Sequence, residues 1–332
     1  MNEFVFFINN VVISGLTIGS IYALGAVGIT LIFSILRFAH FAHADLMTLG
    51  AFFAFFLTAM FPAVGPAIGL PTAFVMLPLA MVMTAIAAIY IDKGFYKPLR
   101  RHGVKPIVIV MASLGVTLML QGLIRMFMGT SARSMYIDDR KGIHRLDMPF
   151  ELASRPIVIT DPQIIIIVLL VIIVIALHLF LNRTRLGKAM RAMSDNPDLA
   201  RVSGINTDTV VKVTWVIAGS LAAIAGTMLS LDVSLKPDLS FHLLLPIFAA
   251  AIVGGVGHPY GALAGGFVIG FAETLSVFNW AVLLRPWRDY LWFDLPATLA
   301  FVPSEYKITV PFFILLAILV WRPTGLFKGK VL

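Results

Sequence analysis

Three stretches, Ile164–Leu181, Val213–Leu231 and Phe267–Leu284, run almost without interruption through Ile, Val, Leu, Phe, Ala and Gly. Crossing the hydrocarbon core of a bilayer as a helix takes about 20 predominantly apolar residues, and each run approaches that length. With 59% hydrophobic and only 13% charged residues, the chain cannot solvate such segments in water. Backbone N–H and C=O groups in hydrocarbon must pair within the protein, which leaves helices or a closed barrel. Barrel strands alternate apolar and polar positions over about 10 residues, whereas these runs are continuous and longer. The expected fold class is all-α: a polytopic membrane protein, read as a single transmembrane domain over 1–332 with no room for a soluble catalytic domain.

About nine spans of bilayer length are expected, at 10–35, 42–61, 71–91, 106–127, 163–181, 210–231, 243–257, 260–282 and 307–321. The span at 243–257 is short and reads as a broken or re-entrant helix. Near the N-terminus Glu3 is the lone early charge, and a basic n-region is missing, so the first apolar segment is expected to stay in the mature protein. The chain has no cysteine, which excludes disulfides, thiolate metal sites and a cysteine nucleophile.

The net charge of +8 raises the question of nucleic acid. Alternating sides from an external N-terminus gathers most Lys and Arg in one set of connections: Arg37, the 92–105 loop, the 183–212 loop and the C-terminal tail. Basic residues collect on the cytoplasmic side of membrane proteins. The charge is therefore a topology signal, N-terminus outside and C-terminus inside, and no nucleic-acid partner is expected. Two external loops are long. The one at 129–162 carries both signs of charge, including Asp138, Asp139 and Lys141; that at 284–306 carries Trp287, Tyr290, Trp292 and Phe293. Those aromatics fit an interfacial belt or a docking surface for an external partner.

The 183–212 connection holds Leu186, Met190 and Met193 at helical spacing, with Lys188 and Arg191 on other faces. Ser194 or Asp195 is placed to cap a second short helix with Pro197 and Asp198 in its first turn, ending at Gly204. Two short amphipathic helices suit either docking on a soluble partner's groove or lying in the headgroups.

This connection resembles the coupling loop of the branched-chain amino acid permease family of bacterial ABC importers. The matching residues are Gly187, Arg191, Ala192, Asp195, Ala200 and Gly204–Ile205–Asn206. Four further segments resemble that family in the same order: Ser14–Leu24 with Phe41–Asp45, Tyr96–Arg100, Ala249–Glu273, and Arg322–Leu326 with its Pro323–Thr324–Gly325. His40 stands where the family usually has Asn, Ala44 where it has Gly, and Pro246 where Lys is common. The resemblance implies one of two related permease subunits, driven by two cytoplasmic ATPases and supplied by a periplasmic solute-binding protein. It implies uptake across the bacterial inner membrane, of a branched-chain amino acid or of urea, a short amide or another small solute. Arg185, Gly187, Arg191, Ala192, Asp195, Ala200 and Gly204 would then couple to the ATPases. No G-x-x-x-x-G-K-[ST] phosphate loop occurs in the chain, so no cofactor is expected on it, and ATP with Mg²⁺ would sit in the partner subunits.

Gly254, Gly255, Gly257 and Gly261 interrupt an apolar run together with Pro259. Proline and clustered glycines break a helix, and broken segments in the two halves of a transporter point to its pathway. The expected pathway set is these glycines with His43, Asp45 and Glu273; tight packing around a plain turn is the alternative for the glycines. His40, His43 and Asp45 have the residue types of a metal site, but polar or capping roles next to Arg37 serve as well, and no metal is expected. Glu273 lies inside a span, where a carboxylate is a functional candidate unless it is hydrogen-bonded glue. Gln121 and Arg125 are weaker cases of the same kind. A secondary transporter coupled through Glu273 or Asp45 would have no use for the two-helix loop, and the protease and hydrolase motifs of an intramembrane enzyme are lacking.

Overall fold

The computed structural model describes residues 2–137, 140–147, 155–290, 294, 296–322 and 324–327. Asp138, Asp139, Trp292, Phe293 and Pro323, singled out above, lie outside them. The described chain is helical, with one small hairpin.

Seven helices are long and apolar enough to cross a membrane: α1 (Asn2–Leu36), α2 (His43–Met60), α3 (Leu77–Arg101), α4 (Pro106–Met128), α5 (Asp161–Arg183), α8 (Thr207–Asp232) and α10 (Pro259–Val277). Between α5 and α8 lie α6 (Arg185–Asp195) and α7 (Pro197–Val202). Two shorter apolar helices complete the bundle, α9 (Leu244–Gly254) and α11 (Thr309–Trp321). Helix α1 starts well before the expected residue 10, because Asn2–Ile13 continues the same helix through a π turn at Ile8–Ile13.

Helix α9 is 11 residues long, about 16 Å at 1.5 Å per residue, or roughly half of a 30 Å hydrocarbon core. The chain leading into it is irregular. Leu235 exchanges backbone hydrogen bonds with Arg133 (2.8 and 2.9 Å), and the Ser240 amide donates to Thr48 Oγ1 at 3.2 Å. Buried irregular backbone needs such partners, and both Leu235 and Ser240 are fully buried.

The bundle is held by seams of small residues. Gly15, Gly19, Gly266 and Gly270 bring α1 and α10 together, with a β-carbon at Gly270 placed 2.6 Å from Gly19 Cα. Gly50 and Gly226 do the same for α2 and α8, and Gly254, Gly261 and Gly265 for α9 and α10. Lipid is as apolar as leucine, so helices in a membrane associate through such close packing and not through hydrophobic expulsion. Helices α4, α5 and α11 sit at the periphery and turn apolar faces outward, including Leu118, Val171 and Phe313.

Two ends are distinct. At one, Arg37 donates to the Ser194 carbonyl, Lys97 pairs with Asp208 (3.1 Å), and the Leu326 amide bonds to Val253 O (2.8 Å). At the other, β1 (Ile143–Leu146) pairs antiparallel with β2 (Ile157–Thr160), and Asn9 bonds Pro156 O and Val158 N. Lys141 there pairs with Asp232 at 3.0 Å. The two groups of connections that alternation of spans predicts are thus assembled at opposite ends.

Candidate functional site

The 183–212 connection folds as two short helices, as its spacing predicts. Thr184 caps α6, its Oγ1 accepting from the Gly187 amide at 2.9 Å. Gly187 has no room for a side chain, because a β-carbon would collide with the Phe180 carbonyl oxygen, so α6 folds tightly back beneath α5. Met190 and Met193 are buried; Leu186, of the same predicted stripe, is 39% exposed. The cap of α7 differs from expectation. Asn196, not Ser194 or Asp195, accepts from the amides of Asp198 and Leu199 (3.1 and 3.0 Å). Asn is as good a cap and stands immediately before Pro197, which sets the first turn. Ala200 is buried, and Gly204 takes the left-handed conformation at φ +82°.

Arg185, Lys188, Arg191, Ala192 and Asp195 face outward. So do two apolar residues that the sequence reading passed over, Leu199 (63% exposed) and Val202 (86%). Their i, i+3 spacing is the available signal, since it puts both on one face of α7. Behind α6 is a cavity of about 220 Å³ lined by Ile35, Met190, Arg191, Asp195, His258 and Tyr260 among others. The glycine turn forms its far wall. Gly255 and Gly257 have φ of +102° and +92°, so α9 ends at Gly254 and α10 starts at Pro259. Of the glycines expected on the pathway, Gly257 lines this cavity beside α6.

His43 and Asp45 lie elsewhere. Both are fully buried at the start of α2, which begins inside the bundle. Gln121 on α4 donates to Asp45 Oδ1 at 3.0 Å, and the exposed Arg125 reaches Gln121 Oε1 at 3.4 Å. The His43 ring packs against Gly28, where a β-carbon would lie 2.5 Å from it. His40 turns instead to the Tyr96 hydroxyl (3.0 Å), whose ring stacks on Trp215 at 5.6 Å between centroids. Among the described residues, no group of three or more His, Cys, Asp or Glu converges as a metal ion would require.

Glu273 is not remote from the loops, as its position in an expected span at 260–282 implied. Helix α10 ends at Val277, one turn beyond it. Its Oε2 accepts from the Tyr22 hydroxyl at 2.6 Å and its Oε1 lies 3.3 Å from Lys307 Nζ. At 1.5 Å per residue, Glu273 stands about 18 Å along α10 from Gly261. The expected pathway residues therefore occupy three places: the glycines at one end, His43 and Asp45 at the buried start of α2, and Glu273 at the other end. Toward the glycine element, Phe41 stacks on Phe248 of α9 at 4.9 Å.

Residues 11–319 match the family described as branched-chain amino acid transport system, permease component. The chain belongs to that family. This permease is 27% identical to the high-affinity branched-chain amino acid transport system permease protein LivH of Escherichia coli, over 98% of the chain and 96% of the relative. It is 28% identical to the corresponding protein BraD of Pseudomonas aeruginosa, over 95% and 94%. It is 29% identical to a probable LivH of Methanocaldococcus jannaschii, over 76% of each. The permease is thus a multi-pass membrane transport component, and not an enzyme.

Several segments that carry the family resemblance meet in the folded permease. Ser14–Leu24 supplies the glycine seam to α10, and Tyr96–Arg100 meets the start of α8, just after the 183–212 helices, through Lys97 and Asp208. Gly325, at φ +75°, packs on Gly255.

Proposed function

We propose that this permease is one transmembrane subunit of an ATP-driven importer that carries a branched-chain amino acid across the bacterial cytoplasmic membrane. The end bearing α6 and α7 is cytoplasmic in this reading, which puts the N-terminus outside and the C-terminus inside. A related second permease, two cytoplasmic ATPases and an external solute-binding protein complete the complex, and ATP with Mg²⁺ belongs to the ATPases. The names of the relatives support the substrate.

One observation carries the coupling role: α6 and α7 bury Met190, Met193 and Ala200 inward, while α7 exposes Leu199 and Val202 and α6 exposes Arg185, Lys188 and Arg191. Short helices that expose both apolar and basic side chains fit a groove on a soluble partner. Arg185, Gly187, Arg191, Ala192, Asp195, Ala200 and Gly204 form or shape this dock. Energy enters through the differential affinity of ATP for two states of the ATPases, whose closure displaces α6–α7. The pathway assignment of His43, Asp45, Gly254, Gly255, Gly257, Gly261 and Glu273 remains part of this proposal.

Uptake of labelled leucine into proteoliposomes holding all the subunits is expected to require internal ATP. Uptake without ATP, or a chain that never associates with the ATPases, refutes the importer reading. Substrate-stimulated ATP hydrolysis without leucine uptake keeps the importer and replaces leucine with another small solute. Arg191→Glu is expected to lower uptake by about fivefold or more, the scale of a 1–3 kcal/mol coupling, while the permease stays folded; normal uptake removes Arg191 from the dock.

A further inference from the structure

Polar side chains of α5, α6 and α10 meet in a chain along the cavity behind α6. His178 and Asn182 stand one turn apart on the last turns of α5, and Tyr260 is the second residue of α10. The Tyr260 hydroxyl lies 2.9 Å from His178 Nδ1 and 3.5 Å from Asn182 Nδ2. Asn182 Nδ2 is itself 3.2 Å from His178 Nδ1. On its other side, Asn182 Oδ1 accepts from Arg191 Nη1 at 3.1 Å.

The amide of Asn182 therefore uses both of its functions. Its oxygen faces a guanidinium on α6, and its nitrogen faces the Tyr260 hydroxyl at the head of α10 and the His178 imidazole one turn earlier on α5. An amide is the side chain suited to this place, since it offers acceptor and donor at once. Leucine offers neither, and aspartate lacks the donor.

The position of this chain gives it a mechanical meaning. Helix α6 packs on α5, α7, α8 and α1, and faces α10 across the cavity of about 220 Å³. Tyr260 stands just beyond Gly255 and Gly257, whose left-handed backbone is the break between α9 and α10. A displacement of α6 meets empty space in that direction unless a side chain bridges it.

We propose that Asn182 is a positioning residue of the coupling step: it ties Arg191 of α6 to Tyr260 at the head of α10, so that movement of α6 is delivered to the glycine break. The inference rests on the reading of α6–α7 as the ATPase dock. Tyr260 and His178 form the receiving side of the tie, and Arg191 the sending side.

The test is the ratio of leucine taken up to ATP hydrolysed, in proteoliposomes of the complete complex. Asn182→Leu is expected to lower that ratio by about fivefold or more while the complex assembles and hydrolyses ATP. Asn182→Gln, which keeps both functions, recovers most of the ratio. Tyr260→Phe, which removes one half-exposed hydroxyl, reproduces part of the loss and carries the test should Asn182→Leu fail to assemble. The double variant Arg191→Ala with Asn182→Leu is expected to be no worse than the worse single one, because both remove one connection. Unchanged ratios in Asn182→Leu and Tyr260→Phe, or strictly additive losses, overturn the tie and leave the dock standing. Wild-type complex that shows no ATP-driven uptake of any solute overturns both.

Discussion

Gly226→Val is expected to abolish folded permease, and even Gly226→Ala to reduce it sharply. The obstacle is backbone: a β-carbon at Gly226 would collide with the Met47 carbonyl oxygen and lie 2.5 Å from its carbon. The same seam is tight in the reverse direction, where a β-carbon at Gly50 meets Ala223 Cα at 2.5 Å. No rotamer change relieves a clash with main chain, so α2 and α8 must separate along the seam. Overpacking costs about 1–3 kcal/mol or more where side chains can still shift, and here they cannot. Separation also forfeits the close contacts that hold helices together in lipid, and it loosens the buried layer around Met47 and Met228. Monodisperse yield after detergent extraction measures the effect. Gly122→Ala is the control: it lies on the outer face of α4 with nothing within 4 Å of the new methyl group, and it should extract like wild type. Equal yields for Gly226→Ala and Gly122→Ala would refute the seam.

Lys307→Met is expected to destabilise the permease more than Glu273→Gln, although both remove the same ion pair. Glu273 is 4% exposed and Tyr22 is 2% exposed, whereas the Lys307 side chain reaches solvent. Without the ammonium, a buried carboxylate keeps only the Tyr22 hydroxyl as partner. Stranding a buried polar group costs about 1–3 kcal/mol, and a charge costs more than a neutral group. Glutamine still accepts from Tyr22 and leaves only an exposed lysine unpaired, a loss of about 1 kcal/mol or less for a screened pair. Adding Glu273→Gln to Lys307→Met should therefore restore stability, a coupling that thermal denaturation of the three variants in detergent reads directly. Uptake per folded molecule separates two roles. A latch that ties α11 to α1 and α10 predicts lost stability with unchanged uptake. A carboxylate on the route predicts slowed uptake in Glu273→Gln at nearly full stability.

Much of the architecture is legible in the residues themselves. The spans follow from length and apolarity, and the end of α9 follows from Gly254, Gly255 and Gly257 with Pro259, since backbone that needs positive φ declares itself through glycine. The two helices of the 183–212 connection follow from their spacing. Even there one local choice was misread, because Asn196 competes with Ser194 and Asp195 for the cap and the neighbouring proline decides it. The shortness of α9 was recognisable, but not how the chain before it is held, because Arg133 and Thr48 pair the backbone of Leu235 and Ser240 from distant parts of the chain.

The site shows the same division more sharply. Residue type and place marked Glu273, because an unpaired charge is costly in hydrocarbon, while the family resemblance marked Asp45 and Arg191. Their partners could not be read that way. Tyr22 and Lys307 meet Glu273, Gln121 meets Asp45, and Asn182 meets both Arg191 and Tyr260 only after the helices have packed. The sequence by itself determined which segments enter the membrane, where helices break and which end is basic, because helix length, glycine conformation and charge act within a few residues. Tertiary structure alone decided which side chains touch, because a hydrogen bond depends on ångströms in space between residues that can be 251 positions apart.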